Sequence, residues 1–168
     1  MKDYTAENII NISLVGHFGA GKTILADAML FNTKAIRAIG SIDKGTSTSD
    51  YLHREVEHQH SISTSLLSYE YLDKKVNLLD SPGMFDFQGE MINSLFASDV
   101  VGFVINSING LEVGTDLAAS HLKNMICVNT ALYLRKFYLE LSLFLFSDYY
   151  SMHFLSYGKI GIGQPLEY

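Results

Sequence analysis

The clearest pattern of apolar and polar positions lies near the start of the chain. Residues Ile9–Val15 form a run rich in isoleucine that ends at Gly16, which predicts a buried β-strand. In residues 22–31, Leu25 and Met29 lie four positions apart, which is the spacing of one face of an α-helix. The pattern therefore predicts a strand, a glycine-rich turn and a helix.

Strands and helices continue to alternate further along the chain. The predicted elements are strands over residues 61–72 and 75–79, with Asp73 and Lys74 at the turn between them, a helix over residues 90–97 and a buried strand over residues 100–105. Residues 40–60 are polar and lack a sustained apolar period, which favours an exposed and mobile loop.

This alternation predicts an α/β fold. We expect a mainly parallel sheet with helices on both faces, incomplete at its C-terminal side. In such sheets, ligands bind beyond the carboxyl ends of the strands. The glycine-rich turn after residue 15 and the acidic residue Asp80 both fall at those ends.

The character of the chain changes near residue 129, where leucine, phenylalanine and tyrosine become frequent. We divide the chain there into a main part, residues 1–129, and a divergent aromatic-rich tail, residues 130–168. Leu134, Phe137 and Leu141 follow helical spacing, which indicates a replacement core helix. The alternative hypothesis is a truncated or frame-shifted product, which reading the encoding nucleotide sequence in all three frames would test.

Composition limits the size of the core, the class of partner and the cellular location that we expect. With 168 residues and 48% hydrophobic content, the chain has material for one domain-sized core. A net charge of -6 gives no general reason to expect binding to DNA or another polyanion. Cys127 is the single cysteine, and the N-terminus lacks a secretory signal, so we expect a cytoplasmic protein. The apolar residues 141–146 are too few to cross a membrane.

A candidate phosphate-binding loop follows the first strand, in the spacing G-x-x-x-x-G-K-[ST], which places the fold in the P-loop NTPase class. Its glycines let backbone N–H groups approach phosphates, Lys22 supplies a positive charge, and Thr23 presents a hydroxyl to magnesium. The alternative is a glycine-rich turn with an exposed lysine. The candidate loop and the expected nucleotide contacts comprise Gly16, His17, Phe18, Gly19, Ala20, Gly21, Lys22, Thr23 and Ile24.

A second candidate element is the segment Asp80-Ser81-Pro82-Gly83, at the end of another predicted strand. The Asp80 carboxylate can hold the magnesium shell, and Gly83 can offer its backbone N–H to a γ-phosphate without an obstructing side chain. By itself this segment is also compatible with an ordinary turn.

Three histidines in the polar loop suggest a different chemistry. His53, His58 and His60 could hold a metal ion, but the segment has no cysteine, and His58 and His60 are not four residues apart. We favour a solvated loop for this segment.

The motifs together resemble those of a known family. From about residue 8 to residue 116 the chain is similar to the N-terminal GTPase segment of elongation factor G-like translational GTPases, which include ribosomal-protection tetracycline-resistance proteins. Besides the loop, the resemblance rests on Gly45-Thr46, Asp50-Tyr51, Ser61-Ile62-Ser63-Thr64-Ser65, Asn77-Leu78-Leu79-Asp80-Ser81-Pro82-Gly83, Asp86-Phe87 and Gly110-Leu111-Glu112-Val113-Gly114-Thr115.

The resemblance implies ligands, partners and moving parts. Residues 1–129 would be a partial GTP-binding domain. GTP or GDP with Mg²⁺ would bind, with Thr23, Ser61 and Asp80 around the metal, and the ribosome would be the partner. Residues 40–61 would form the first switch and residues 80–90 the second switch, both ordered by the γ-phosphate and released by hydrolysis.

Four departures from the family pattern bear on activity. Ser61 stands where the family usually has threonine, and Gly19 stands where elongation factor G often has aspartate. Met84 occupies the usual position of the histidine that orients the attacking water, and its thioether is only a weak acceptor. The Asn-Lys-x-Asp motif that recognises guanine is missing, and Asn129 keeps only its asparagine.

These observations lead to three alternative hypotheses of function. The first is a GTP-binding translational GTPase that couples GTP binding and hydrolysis to translation elongation on the ribosome, as a fragment of a longer factor. The second is a catalytically weak or inactive nucleotide-binding module, favoured by Met84. The third is a P-loop ATPase of another family, which the missing guanine motif leaves open.

Overall fold

The computed structural model describes residues 3–106 and 108–123 in full, and the backbone of residues 129–135, 141–146 and 152–157. The strands are β1 Ile9–Val15, β2 Ser65–Tyr71, β3 Lys74–Asp80, β4 Val100–Asn106, β5 Asn129–Arg135, β6 Leu141–Phe146 and β7 Met152–Tyr157. The α-helices are α1 Lys22–Asn32, α2 His53–His58, α3 Gln88–Phe96 and α4 Val113–Leu122, and short 3₁₀ turns cover Ala6–Asn8 and Phe85–Phe87.

The strands form one sheet in the order β2-β3-β1-β4-β5-β6-β7. Strands β3, β1, β4 and β5 run parallel at its centre. Strand β2 pairs antiparallel with β3, and β6 and β7 continue the other side as antiparallel neighbours. The predicted α/β fold with a parallel sheet is confirmed for this central part.

Apolar side chains of β1 and β4 alternate between two cores because successive strand residues point to opposite faces. Leu14 packs on one face with α1, and its neighbour Val15 packs on the other face with α3 and α4. The first core comprises Leu14, Ala20, Leu25, Ala26, Leu78 and Val104, and the second comprises Val15, Met91, Leu95, Val101, Phe103 and Ala118. The expected placement of helices on both faces is therefore confirmed.

Most predicted elements lie within a few residues of the observed ones. The strand at Ile9–Val15 is observed with the predicted bounds, and α1, α3 and β4 begin and end close to the predicted residues. Strand β2 starts at Ser65, four residues later than predicted, because Ile62 and Ser63 donate their backbone N–H groups to the Glu55 carboxylate instead of to a neighbouring strand.

The expectation of an exposed loop over residues 40–60 is wrong in part. The segment contains α2, and Ser49, Asp50 and Glu55 are buried within it. Its buried side chains are polar, so no apolar period marks them. Helix α4, Val113–Leu122, is absent from the sequence-based prediction, in which its first residues entered only through the resemblance to the family.

The helix expected in the aromatic tail is also wrong where the backbone is described. Leu134 lies in β5 and Leu141 in β6, which pair antiparallel, while Phe137 lies outside the described residues. A segment that is apolar on every side shows helical spacing by chance, and its leucine, phenylalanine and tyrosine content suits a strand equally well. The proposed boundary between residues 129 and 130 falls inside β5, after its first residue.

Candidate nucleotide-binding site

The glycine-rich loop connects the carboxyl end of β1 to the first turn of α1. Gly16 has a φ of +150°, and a Cβ atom there would overlap the carbonyl oxygen of Val104 on the neighbouring strand. Only glycine fits this position, because any side chain would push the loop away from β4. The loop is thereby held against the sheet, with the N-terminus of α1 behind it.

Lys22 is buried at the start of α1, with 6% of its surface exposed. Its ammonium donates hydrogen bonds to the carbonyl oxygens of Gly16 and His17, both at 3.0 Å. Burial lowers the pKa of Lys22 to about 8, and the nearby carboxylates of Asp80 and Asp50 act in the opposite direction. An anion in front of the loop would complete the neutralisation of this charge.

Asp80, the last residue of β3, is 1% exposed and lies close enough to Lys22 for their charges to interact. Among the described residues, neither of its carboxylate oxygens has a hydrogen-bond partner. Burial raises the pKa of Asp80 to about 6, while the Lys22 charge and the nearby hydroxyls of Thr23 and Ser49 act in the opposite direction. A buried carboxylate with unsatisfied oxygens and hydroxyls beside it suits a hard divalent cation such as Mg²⁺.

Gly83 brings the second switch into contact with the loop. A Cβ atom at Gly83 would overlap the Nζ atom of Lys22 and lie 2.7 Å from the backbone nitrogen of Phe18. The backbone at Gly83 therefore reaches the ammonium of Lys22. Any group bound at Lys22 would lie next to Gly83.

Ser61 reaches the same cavity from the first switch, but its hydroxyl donates to Asp50 Oδ1 at 2.7 Å. Asp50 is 4% exposed, and burial raises its pKa while the hydrogen bond from Ser61 lowers it. Sequence reasoning does not single out Asp50 as a site residue, because only the folding of the polar loop over the cavity buries it. Its carboxylate adds a third charge beside Lys22 and Asp80.

The structure brings together most of the predicted site residues, but not all. The cavity is lined by Phe18, Gly19, Gly21, Lys22, Thr23, Ile24, Ile42, Asp50, Gln59, His60, Ser61 and Gly83. Ala20 is buried in the first core instead. His17 faces a neighbouring cavity, where its Nδ1 accepts a hydrogen bond from the Gly114 N–H at 3.3 Å.

Met84 lines that neighbouring cavity rather than the one around Lys22. Its surroundings are largely apolar and include Phe85, Met91 and Leu117. Gly83 borders both cavities, so the chain passes from one to the other between residues 83 and 84. The side chain at position 84 thus packs beside α3 and α4.

Glu55 is a second buried carboxylate that sequence reasoning missed. Its Oε1 accepts hydrogen bonds from the Ile62 and Ser63 N–H groups at 3.0 and 3.2 Å, and its Oε2 accepts one from the Leu52 N–H at 3.1 Å. The carboxylate joins the start of α2 to the residues beside Ser61. It therefore fixes the part of the first switch that faces the cavity.

The three histidines of the loop do not form a common cluster of ligands. His53 lies on α2 with 94% of its side chain exposed, whereas the rings of His58 and His60 stack at 5.8 Å. Within the part of the chain that the structure describes, no group of three or more His, Cys, Asp or Glu side chains could hold a metal ion. His60 alone belongs to the cavity around Lys22.

The backbone of Asn129 lies at the end of the strands that is remote from the loop. It pairs with Val100 at the amino end of parallel β4, whereas the loop follows the carboxyl end of β1, where Val15 pairs with Phe103. The two positions therefore lie at opposite ends of the parallel strands. Residues 136–140, which follow β5 in the sequence, lie outside the described part, as does Cys127.

In the described ranges, no helix has the length and apolar character required to span a lipid bilayer.

Comparison with known proteins identifies the family. Residues 7–136 match the elongation factor Tu GTP binding domain. The tetracycline resistance protein TetM of Ureaplasma urealyticum is 36% identical over 117 residues, which are 70% of this chain and 18% of TetM. TetO of Campylobacter jejuni is 33% identical over the same length, with the same coverage of both chains. The chain thus spans about a fifth of the length of these relatives.

Two solved structures are similar to this chain. A protein of Thermus thermophilus shares 33% identity and a TM-score of 0.69, over 73% of this chain and 19% of its own. The elongation factor SelB of Methanococcus maripaludis, solved with the GTP analogue GPPNHP, shares the fold at 17% identity and a TM-score of 0.52, over 72% of this chain and 21% of its own. The chain belongs to the elongation factor Tu GTP-binding domain family and is a translational GTPase domain related to elongation factor G and to TetM.

Proposed function

We propose that this chain binds GTP and GDP with Mg²⁺ at the cavity around Lys22. The loop amides and the Lys22 ammonium would hold the phosphates, and the N-terminus of α1 would add its positive dipole end. The residues proposed to contact the nucleotide are His17, Phe18, Gly19, Ala20, Gly21, Lys22, Thr23, Ile24, Asp80 and Gly83. Ala20 and His17 would act through the backbone, since their side chains face elsewhere.

Thr23, Ser61 and Asp80 are the proposed magnesium-binding residues. The ion, when bound, neutralises charge on the phosphate oxygens. The Asp80 carboxylate is buried and lacks hydrogen-bond partners among the described residues, so its oxygens can accept such an ion or its water shell. Ser61 would have to turn its hydroxyl away from Asp50, to which it donates in this structure.

The single observation that carries the proposal is the pairing of Lys22 and Asp80. Both are buried, the pKa of each is shifted in the direction that favours its neutral form, and their charges interact. Burying two ionisable groups is costly to a fold, and such groups cluster at functional sites. A magnesium nucleotide supplies the anion for one and the cation for the other.

The γ-phosphate would act on both switches. Gly83 of the second switch lies against Lys22. Thr64, next to the first switch, donates its backbone N–H to the Glu90 carboxylate at 3.0 Å and its hydroxyl to the Glu90 carbonyl oxygen at 3.1 Å. These two hydrogen bonds would couple a movement of one segment to the other. We propose that this coupled movement serves ribosome-associated translation elongation in the cytoplasm, with guanine nucleotide and the ribosome as partners and no membrane or DNA.

A second candidate is a nucleotide-binding module with weak or absent turnover. The placement of Met84 in the apolar cavity favours it, because a thioether there cannot orient a water molecule near Lys22. Phosphate release by the wild-type chain that disappears in Lys22→Ala would argue against this candidate.

Base competition tests the proposed ligand. A fluorescent GDP analogue bound to the full chain should be displaced by GDP at lower concentration than by ADP. The preference should be smaller than in relatives that carry Asn-Lys-x-Asp, since that motif supplies the carboxylate that pairs with guanine. Equal or tighter binding of ADP would contradict a guanine nucleotide and favour a P-loop ATPase activity.

A further inference from the structure

The cavity around Lys22 contains a histidine that none of the roles above uses. His60 lines it together with Lys22, Thr23 and Gly83. Its ring lies at 6.2 Å from that of Phe18, edge to face at 88°, and at 6.1 Å from that of Phe87. Phe18 belongs to the phosphate-binding loop and Phe87 to the second switch. The imidazole is therefore held between the loop and the second switch, although it belongs to the first.

The hydrogen bonding of His60 indicates its tautomer. Its Nδ1 lies 3.4 Å from the carbonyl oxygen of Ser61, the next residue. A carbonyl oxygen can only accept, so this contact requires the proton of the neutral ring to be on Nδ1. Nε2 then carries the lone pair and can accept a hydrogen bond from a water molecule. Met84 offers only a weakly accepting thioether and lies in the other cavity.

We propose that His60 is the catalytic residue that orients the attacking water, in place of a histidine at position 84. This inference rests on the proposed GTP binding at Lys22. In this chain the imidazole that faces the cavity belongs to the first switch, at position 60, whereas the family pattern places a histidine in the second switch, at position 84.

The reaction balances without a further reagent. The water oxygen forms a bond to the γ-phosphorus while the bond from that phosphorus to the β,γ-bridging oxygen breaks, and the electron pair leaves with GDP. His60 Nε2 accepts a hydrogen bond from the water and aligns its oxygen for attack. Of the two water protons, one stays on the phosphate product and the other is released to solvent, so His60 is unchanged at the end of the turnover.

Single-turnover phosphate release from GTP tests the assignment. His60→Ala should slow release by at least about tenfold. Affinity for GDP and for a non-hydrolysable GTP analogue should stay within about twofold, because water orientation does not contribute to ground-state binding. His60→Gln should recover much of the rate, since its amide oxygen can accept the same hydrogen bond. His53→Ala, the exposed histidine of α2, is the matched control and should behave as wild type.

A second measurement is independent of turnover. Nitrogen chemical shifts of the histidine side chains should show His60 protonated at Nδ1, as the contact with Ser61 requires. The Nε2 signal should move when the GTP analogue replaces GDP, and the His53 signals should not. A His60 ring protonated at Nε2 instead would overturn the proposal.

The remaining outcomes separate this inference from the proposed function. A wild-type chain that binds guanine nucleotides but releases no phosphate, or releases it equally fast in His60→Ala, overturns the role of His60 alone. A loss of rate in Gln59→Ala with none in His60→Ala assigns the role to Gln59, the polar neighbour of His60 in the cavity, and also overturns it. A wild-type chain that binds no guanine nucleotide refutes the proposed function itself.

Discussion

At the scale of single residues, Gly83 lies so close to Lys22 that no space remains for an added methyl group. Gly83→Ala would place its Cβ on the Lys22 ammonium and against the backbone of Phe18. We expect at least about a tenfold loss of nucleotide affinity, equivalent to about 1.4 kcal/mol. Fluorescence titration with a GDP analogue measures this loss.

The matched control is Gly89→Ala in α3, where an added Cβ meets nothing within 4 Å. It should leave affinity within about twofold and raise stability slightly, because alanine suits a helix better than glycine does. Equal affinities of the two variants would show that the second switch does not contact the bound phosphates.

At the scale of single residues, the sequence predicted those side chains whose spacing is dictated by phosphate chemistry. Lys22 and Thr23 follow a glycine-rich turn, and Asp80 ends a strand, so pattern alone locates them. Asp50 and Glu55 were missed because most of their neighbours in sequence are polar. Their burial depends on how the first switch folds over the cavity.

Among the elements, the first switch depends most on one side chain. Glu55→Ala would leave the backbone N–H groups of Leu52, Ile62 and Ser63 without their acceptor. Unmade hydrogen bonds in a half-buried segment destabilise it by about 1–3 kcal/mol each. We expect local opening of residues 50–63, seen as faster amide hydrogen exchange there than in β1.

Glu57→Ala is the control for that experiment. Glu57 lies on the same helix, but its side chain is 62% exposed and its described contact is with His53 at 3.8 Å. Exchange in the first switch should be unaltered in this variant. If Glu55→Ala exchanged no faster than Glu57→Ala, the first switch would have to be fixed by other contacts.

Elements were predictable where an apolar period or a motif marked them. Strand β1 and helix α3 present apolar residues at the spacing of their type. Helix α1 has an apolar face about as weak as that of α4, and it was predicted because Leu25 and Met29 follow the glycine-rich loop. Helix α2 spans only six residues, most of them polar, so periodicity could not reveal it. In the apolar tail periodicity fails for a different reason, because a segment rich in leucine and phenylalanine fits the spacing of a helix and that of a strand equally well.

For the whole molecule, the alternation of strands and helices favours a parallel sheet, and β3, β1 and β4 pair in this way. The order of the strands and the presence of β5 were not predicted. The antiparallel pairing of β5, β6 and β7 was not predictable, since the sequence there carries no recognisable turn motif. The site itself is assembled by the fold, which brings residues 16–23, 50–61 and 80–83 to one edge of the sheet.

Magnesium-dependent nucleotide binding by the full chain, measured by titration with GDP in the presence of Mg²⁺ or of EDTA, tests the account most directly. The comparison is between wild type, Lys22→Ala and Lys123→Ala, an exposed lysine at the end of α4. Circular dichroism confirms that each variant is folded. The account predicts tighter binding with Mg²⁺ for wild type and Lys123→Ala, and a loss of at least about a hundredfold in Lys22→Ala, equivalent to about 2.7 kcal/mol. Nucleotide affinity that is indifferent to both Mg²⁺ and the Lys22 substitution would contradict it.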